Sequence, residues 1–267
     1  MADFVEMGIR RFGRWNRLGL YTLAEREVRR FLNVWSQTLL APLATAGLFL
    51  AVFALAIGPA RGAVMGVPFL HFLVPGIIMM TVIQNAFANT SSSIVISKVQ
   101  GNIVDTLMPP LSPAELVAGY VAGGVVRGVL VALTTGVVLL LLTGSGLAHP
   151  VWAAVFVLLG ATMLSGLGIV AAIHADKFDQ MAAITNFVVT PLAFLSGTFY
   201  SIEALPGGLQ WLIHLNPVFY LIDGLRHGTI GVSDSSPWLG LLVCTVTTAA
   251  ILALCWHWFR TGHRMKA

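Results

Sequence analysis

The stretch that decides the fold runs over residues 128–175, GVLVALTTGVVLLLLTGSGLAHPVWAAVFVLLGATMLSGLGIVAAIHA, and contains no Asp, Glu, Lys or Arg. Because a membrane-spanning helix needs roughly 20 apolar residues, this stretch is long enough for two spans. Further charge-free runs occupy residues 31–60, 62–97, 180–202 and 235–259. Only 10% of the chain is charged, whereas a soluble domain carries roughly 25%. The pattern therefore predicts an all-α polytopic membrane protein and argues against a soluble single-core domain.

Taken as helices, the charge-free runs predict six spans, and an even number places both termini on the same side. Most of the 15 Lys and Arg residues fall on the side of the termini, and many of them precede the first span. This bias predicts cytoplasmic termini of a multi-pass inner (plasma) membrane protein, and it indicates topology rather than a nucleic-acid partner. The spans are expected near residues 38–58, 69–89, 116–142, 151–173, 181–201 and 238–259.

An amphipathic helix is predicted within residues 1–35, ahead of the transmembrane domain at 36–267. Apolar residues recur there at helical spacing, and charged residues are expected to fill the remaining surface. Such a helix lies along the cytoplasmic membrane face, either as a simple anchor or in contact with a cytosolic partner. The apolar positions are Tyr21, Ala24, Val28, Phe31, Leu32 and Trp35, and the charged ones are Glu25, Arg26, Glu27, Arg29 and Arg30.

Two connections between spans are more than turns. Residues 98–108 form a partly apolar segment that Pro109 and Pro110 end, which predicts a short cytosolic helix suited to a protein partner. Residues 205–228 are too apolar for a solvated loop and too interrupted by Gly and Pro to cross the bilayer. They are expected to dip into the outer leaflet as two short helices joined at Asn216 and Pro217.

The chain lacks the groups that an enzyme would need. None of its three lysines lies in a phosphate-binding GxxxxGK[ST] loop, and no HExxH, GxSxG or paired-cysteine metal pattern occurs. We therefore expect no catalytic residue, no metal ligand and no cofactor in this chain. Cys244 and Cys255 are expected to be small apolar core residues.

Polar groups inside the predicted spans carry more information. Arg127 lies near mid-bilayer unless its helix projects into the cytosol, and two roles stay open for it: structural pairing or contact with a substrate. The pairs Gly119/Gly123 and Gly124/Gly128 permit close helix packing. The second and fifth spans, each with a proline, hold uncharged polar residues that either join helices or line a translocation path. These residues are Gln84, Asn85, Asn89, Thr185, Asn186 and Thr190.

The sequence resembles the membrane subunit of an ABC-2 type exporter, and in particular the YadH-like inner-membrane permeases. The similarity rests on the basic N-terminal helix, the six spans and the loop Gly101–Pro113. Its most specific part is the run from Thr190 to Ser201, which continues through Leu215-Asn216-Pro217-Val218-Phe219-Tyr220 to Gly224-Leu225-Arg226.

This resemblance implies a homodimer of two six-span subunits, each bound to a separate cytosolic ATPase that holds ATP and Mg²⁺. It also implies that the N-terminal helix is a connecting helix, that the second and fifth spans face the dimer axis, and that membrane lipids surround the assembly. The implied coupling helix contains Gly101, Asn102, Ile103, Val104, Asp105 and Leu107. The implied re-entrant motif contains Asn216, Pro217, Tyr220, Asp223 and Arg226, of which the last two are spaced for a local ion pair or a substrate contact.

The expected function is ATP-driven export of a lipid, glycolipid or other amphipathic molecule. An ATPase-independent transporter or channel would need coupling carboxylates, and the six predicted spans contain no Asp or Glu. A membrane enzyme acting on lipids is disfavoured because clustered acids, bases or metal ligands are missing from the sequence.

Overall fold

A computed structural model describes residues 15–56, 58 and 62–264 of the chain. The first 14 residues of the predicted N-terminal region, and the basic residues Arg61 and Lys266, lie outside the described residues.

Among the described residues the regular secondary structure is helical apart from one short hairpin, which confirms the predicted all-α class. Six helical segments are long and apolar enough to cross a membrane: Ser36–Ala56, Phe69–Val99, Pro113–Thr143, Pro150–His174, Phe178–Leu195 and Pro237–Thr261. In chain order the elements are α1 (Arg17–Leu32), α2 (Ala41–Ala56), β1 (Ala63–Val64), β2 (Val67–Pro68), α3 (Phe69–Val99), α4 (Ile103–Leu107), α5 (Pro113–Thr143), α6 (Pro150–His174), α7 (Phe178–Ile184), α8 (Thr190–Leu195), α9 (Gly207–His214), α10 (Pro217–Ile230) and α11 (Pro237–Thr261).

Several boundaries differ from the prediction. The second span continues to Val99, so Lys98 lies on its last turn, and the predicted helix at 98–108 shrinks to α4. Gly101 separates the two helices with a φ of +73°, a left-handed conformation that glycine adopts without strain. The fifth span ends at Leu195 rather than at 201, and Gly197 turns the chain there with a φ of +76°. The third span begins at Pro113 rather than at 116, so its first turn contains Glu115.

Two wide π-type helical turns each lie just ahead of a proline. Residues Ser36–Leu40 lead into α2, which carries Pro42, and residues Thr185–Val189 join α7 to α8, which carries Pro191. Proline has no N–H for the carbonyl four residues earlier, and its ring crowds that carbonyl. The widened turns relieve this conflict, and they give the fifth span the irregularity that Pro191 predicts.

The helix α3 forms the centre of the bundle. In its most apolar window 83% of the residues are buried, and the figure for α6 is 72%. By contrast, only 11% are buried in the first span and 17% in the fifth. The second span is therefore covered mainly by its own chain, whereas the first and fifth expose most of their apolar surface.

The two glycine pairs on α5 each pack against a different helix, α1 or α6, which confirms that they permit close packing. A Cβ on Gly119 would lie 2.5 Å from Leu23, and one on Gly123 would overlap Glu27, so this pair accommodates α1. A Cβ on Gly124 or Gly128 would overlap α6 instead. Glycine here removes the side-chain volume that would keep the helices apart.

We call the end of the bundle that carries α1 and α4 the α4 end, and the opposite end, which carries α9 and α10, the α10 end. Both predicted short helices of the outer segment are present as α9 and α10. They meet at Asn216, whose side chain caps α10 by accepting a hydrogen bond from the Val218 N–H at 3.0 Å.

Candidate functional site

A buried carboxylate joins three segments at the α4 end. Glu115 forms a capping box with Ser112 at the start of α5, accepting hydrogen bonds from the Ser112 N–H at 2.6 Å and hydroxyl at 2.8 Å. It also accepts a hydrogen bond from the backbone N–H of Asn16, the N-cap residue of α1. The Asn16 amide donates to the Pro110 carbonyl at 3.5 Å. The start of α1 is thereby tied to the loop that follows α4.

A second buried carboxylate, Glu27, lies where α1 crosses α3 and α5. It accepts hydrogen bonds from the Ser93 hydroxyl at 2.7 Å and from Arg26 Nη2 at 3.0 Å, and it pairs with Arg30 at 3.2 Å. Arg30 also donates to the backbone carbonyl of Asn89 at 2.7 Å and to its Oδ1 at 3.2 Å. The prediction that Glu27 belongs to an exposed charged face is therefore wrong.

The residues of the predicted apolar stripe near α1 do not all face the same environment. Phe31 is buried against the protein, whereas Tyr21, Leu32 and Trp35 are exposed. The helix thus packs on the bundle through the line Leu23, Glu27 and Phe31 and leaves aromatic and aliphatic side chains free on another side.

A side-chain hydrogen bond links the short helix α4 to α1. Arg26 Nη1 donates to Oγ1 of Thr106 at 3.0 Å, and the Arg26 guanidinium also lies 5.9 Å from the centroid of the Tyr120 ring. Burial alone would lower the pKa of Arg26, but the neighbouring Tyr120 and Glu27 raise it overall. Arg26 therefore stays charged and connects α4 to the Glu27 carboxylate.

The residues predicted to couple with an ATPase fall on two sides of this segment. Ile103 is 4% exposed and packs into the bundle, and Leu107 is partly buried. Val104 is 50% exposed and Met108 is 76% exposed. Gly101, Asn102 and Asp105 are exposed as well. A partner protein can reach this second group, whereas Ile103 holds α4 to its own chain.

The intramembrane charge Arg127 contacts the second span. Its Nη2 donates to Oδ1 of Asn85 at 2.9 Å, and the Asn85 amide in turn donates to the Thr81 carbonyl at 3.0 Å. The Nε of Arg127 is buried without a hydrogen-bond partner among the described residues. Arg127 and Asn85, predicted from separate spans, thus belong to one site.

The length of α5 sets the depth of Arg127. The helix has 31 residues, roughly 46 Å at 1.5 Å per residue, whereas the hydrocarbon core is roughly 30 Å thick. Exposed Leu141 and Leu142 keep its far end apolar, so the excess projects at the end that carries Glu115. Arg127 lies 16 residues before Thr143, or roughly 24 Å. A hydrocarbon core that begins at Thr143 would thus place Arg127 nearer to its edge at the α4 end than to its middle.

The polar residues predicted to line a path form two separate sets, one on α3 and one on the fifth span, in the part of the chain that the structure describes. Asn85 and Asn89 are buried on α3 and take part in the contacts described above, while Gln84 is partly exposed. Thr185 donates to the Met181 carbonyl of its own helix at 2.9 Å, and Asn186 is exposed. Among the described residues no side-chain hydrogen bond connects this set on α3 with Thr185, Asn186 or Thr190.

At the α10 end a fully buried arginine holds four segments together. Arg226 pairs with Asp223 at 3.5 Å and with Asp234 at 3.1 Å, and it donates to the Gly197 carbonyl at 2.7 Å. Its guanidinium lies 4.0 Å from the centroid of the Phe72 ring. These contacts confirm the predicted local ion pair and add Asp234, which the spacing rules do not indicate.

The Asp223 carboxylate closes the loop ahead of the last span. It accepts hydrogen bonds from the backbone N–H groups of Asp234 at 2.7 Å and Ser235 at 2.9 Å. Burial raises the pKa of Asp223 to about 6, although Arg226 and these two N–H groups favour the charged form. The group is therefore ionised at neutral pH and pairs with Arg226.

The remaining re-entrant residues connect α10 with the end of the fifth span. The Asn216 amide donates to Ser196 Oγ at 2.7 Å and to the Leu192 carbonyl at 3.5 Å. Pro217 opens α10, and Tyr220 is buried beside Phe219 with 5.0 Å between ring centroids. The motif predicted from the sequence is thus a packed corner rather than an open loop.

Apolar surface that the chain itself leaves uncovered lies on the first and fifth spans. Phe187 is 81% exposed on the fifth span, and Leu48 and Leu55 are exposed on the first. The two spans meet near the α10 end, where the ring centroids of Phe49 and Phe194 lie 6.0 Å apart. They therefore form a joint apolar face.

Comparison with known proteins agrees with this architecture. Residues 19–230 match the family described as ABC-2 type transporter. The chain is 35% identical over 250 residues to the inner membrane transport permease YadH of Escherichia coli K12, which covers 94% of this chain and 98% of that protein. It is 30% identical over 184 residues to the daunorubicin resistance ABC transporter permease protein DrrB1 of Streptomyces coeruleorubidus, covering 66% and 62% of the two chains. It is 26% identical over 214 residues to nodulation protein J of Rhizobium leguminosarum, covering 76% and 80%.

Because YadH and DrrB1 are named as permeases, the chain is a membrane transport subunit rather than an enzyme. Its six apolar helices and its similarity to YadH indicate a multi-pass inner-membrane protein, and the family implies an ABC ATPase as partner. The chain therefore belongs to the ABC-2 type transporter family, as its sequence motifs predict.

Proposed function

We propose that this membrane subunit exports a lipid, glycolipid or other amphipathic molecule from the cytoplasm or the inner leaflet, and that a separate ATPase subunit drives it. ATP and Mg²⁺ bind to that subunit. The observation that carries the proposal is the hydrogen bond from Arg26 to Thr106, because it connects α4 to Glu27 and through Glu27 to α3. A displacement of α4 would then reach the centre of the bundle.

The docking surface proposed for the ATPase is the exposed side of α4 and its flanks. It consists of Gly101, Asn102, Val104, Asp105 and Met108. The apolar Val104 and Met108 offer buried contact area to a partner, and Asp105 offers a charge at the rim. Ile103 and Leu107 support this surface from behind, since they pack towards the bundle.

A second copy of the chain is proposed to pack on the joint apolar face of the first and fifth spans. These two spans bury the smallest share of their surface within one chain. The implied placement of the second span at the dimer axis fits less well, because α3 is already covered by its own chain. Only partly exposed residues of α3 such as Gln84 remain available to a path.

The α4 end is proposed to face the cytoplasm, which places both termini there. The bias of Lys and Arg towards this end supports the orientation. In the proposed mechanism ATP hydrolysis shifts the dimer between conformations that bind the substrate with different affinities, because a ligand or partner moves an equilibrium only by differential binding.

The test is reconstitution of the tagged permease with its co-expressed ABC ATPase in liposomes that contain a fluorescent amphiphile. We expect a stable complex and movement of the amphiphile across the bilayer only with ATP and Mg²⁺. A Walker-lysine variant of the ATPase serves as control and should give no movement. Reproducible ion flux through the permease without the ATPase would contradict the proposal and favour a channel or secondary transporter.

A further inference from the structure

Three arginines at the α4 end, Arg26, Arg30 and Arg127, lie near one buried carboxylate, Glu27, and two of them pair with it. Arg26 and Arg30 both pair with Glu27. Arg30 lies near Arg127, because it donates to Asn89, which is one helical turn from the Asn85 side chain that Arg127 contacts. Within the described part of the chain, no carboxylate lies within 4.0 Å of Arg127. This corner of the bundle therefore carries an excess of positive charge.

The buried polar atoms of Arg127 and Asn89 that lack a hydrogen-bond partner in the described structure are both N–H donors. The Nε of Arg127 and the Nδ2 of Asn89 are both buried and have no partner among the described residues. Asn85 and Asn89 are one helical turn apart on α3, and Gly123 and Arg127 are one turn apart on α5. Because Asn85 meets Arg127 and Asn89 Nδ2 meets Gly123, both donors lie along the same seam between the two helices.

Arg226 is a buried arginine whose charge is balanced within the protein, and it can be compared with Arg127. It has two carboxylates, Asp223 and Asp234, a backbone carbonyl and an aromatic ring around it. Its Nε is also without a hydrogen-bond partner, so an unpaired Nε is not what separates the two arginines. The difference lies in the counter-ions, since the acceptor that Arg127 finds in the described part of the chain is one neutral amide oxygen. A guanidinium buried between helices needs polar partners, and an anion is the partner that would also balance its charge.

We propose that Arg127, with Asn89 and Arg30 beside it, binds the anionic headgroup of an amphipathic ligand at the seam between α3 and α5. This inference rests on the proposed export function and specifies its substrate class as acidic amphiphiles that carry a phosphate or a carboxylate. By the length of α5, Arg127 lies nearer to the hydrocarbon edge at the α4 end than to its middle, towards the level of headgroups in that leaflet. A planar guanidinium suits either oxyanion because it presents parallel N–H donors.

The test measures retained lipid on the permease alone, so it needs no ATPase. The protein is purified from nanodiscs that contain phosphatidylcholine with a minor share of phosphatidic acid, and native mass spectrometry counts both lipids on it. We expect the wild type to enrich phosphatidic acid, and Arg127→Gln to lower that enrichment about tenfold, the value of one charge-assisted hydrogen bond. Arg29→Gln is the control, because the Arg29 side chain is 74% exposed and pairs with Glu25. It should leave the enrichment unchanged.

Asn85→Asp separates binding from folding. It places a carboxylate of nearly the same shape against Arg127, so the fold gains an ion pair that offsets the lost hydrogen bond to the Thr81 carbonyl, while the site gains a competing anion. We expect thermal stability to be kept or raised and phosphatidic acid enrichment to fall as in Arg127→Gln. If Asn85→Asp or Arg127→Gln enriches phosphatidic acid as the wild type does, or if the wild type shows no enrichment, the inference is overturned.

The source of the anion is distinguished in the reconstituted complex. Movement of a fluorescent acidic amphiphile with ATP, lost in Asn85→Asp, identifies a transported ligand. Retained acidic lipid that is not moved identifies a bound membrane lipid and supports the site without the substrate assignment. Loss of the proposed export function would appear as no ATP-driven movement of any amphiphile while lipid enrichment persists, so the two failures differ.

Discussion

Glu27 of α1 accepts a hydrogen bond from the Ser93 hydroxyl of α3 at 2.7 Å, and both side chains are buried. The same carboxylate balances Arg26, which reaches α4, and Arg30, which reaches Asn89. One acidic group thus connects the surface proposed to dock the ATPase with the central helix.

Replacing Glu27 by Gln should loosen this junction while keeping the size of the side chain. The change leaves two guanidiniums without their shared counter-ion, which should lower the free energy of unfolding by about 2 kcal/mol. This is below the roughly 3–5 kcal/mol of a fully buried pair because Arg26 and Arg30 are partly exposed. Thermal unfolding in detergent measures the loss. Glu25→Gln should cost under about 0.5 kcal/mol, because it removes only an exposed pair with Arg29.

Gly123 should tolerate no side chain, because a Cβ there would overlap Glu27. Gly123→Ala is expected to push α1 away from α5 and destabilise the protein by about 1–3 kcal/mol, the range for overpacking. It should also lower ATPase stimulation by the substrate. Gly136→Ala on the same helix is the matched control, since its Cβ would meet only Ile78 at an ordinary 3.8 Å. Equal stability of the two variants would show that the α1–α5 contact is looser than described.

The spans and the glycine contacts could be predicted because they depend on local sequence. An uncharged apolar run of sufficient length predicts a membrane-spanning helix. Small residues four apart, such as Gly119 and Gly123, leave a strip without side chains on the helix surface, where another helix can pack closely. The sequence does not say which neighbour fills that strip. That α1 occupies one strip and α6 the other depends on residues up to a hundred positions away.

The sequence predicts neither the burial of Glu27 nor the contact of Asp234 with Arg226, for different physical reasons. Glu27 sits among charged residues, and its burial follows from Gly123 and Ser93 on other helices. One signal was available, since Leu23, Glu27 and Phe31 are spaced four apart and form a single helical line. Asp234 follows α10 and returns to Arg226 because Gly231 turns the chain with a φ of +76°. Helical spacing cannot predict a contact across such a turn.

Asp234→Asn should open the corner at the α10 end. Asp234 pairs with the fully buried Arg226 and accepts a hydrogen bond from the Ser201 hydroxyl, and its own side chain is 2% exposed. Removing this charge should cost about 3 kcal/mol, because Asp223 alone remains to balance Arg226. Thermal unfolding should shift downwards, and added protease should cleave residues 196–206 faster. The exposed Glu203→Gln in the same segment should change neither result.

Val104→Glu should separate assembly from folding at the proposed docking surface. Val104 is 50% exposed, so the charge costs the isolated permease little, but it would have to be desolvated against the ATPase. We expect co-purification of the ATPase to fall at least about tenfold, while thermal stability of the permease stays within about 0.5 kcal/mol. Ile103→Glu is a poorer probe, because Ile103 is buried and the variant should lose stability instead.

Leu147→Glu is the matched control, because Leu147 is as exposed as Val104 but lies near the α10 end, and this variant should keep the ATPase bound. Unchanged co-purification in Val104→Glu would remove this side of α4 from the docking surface.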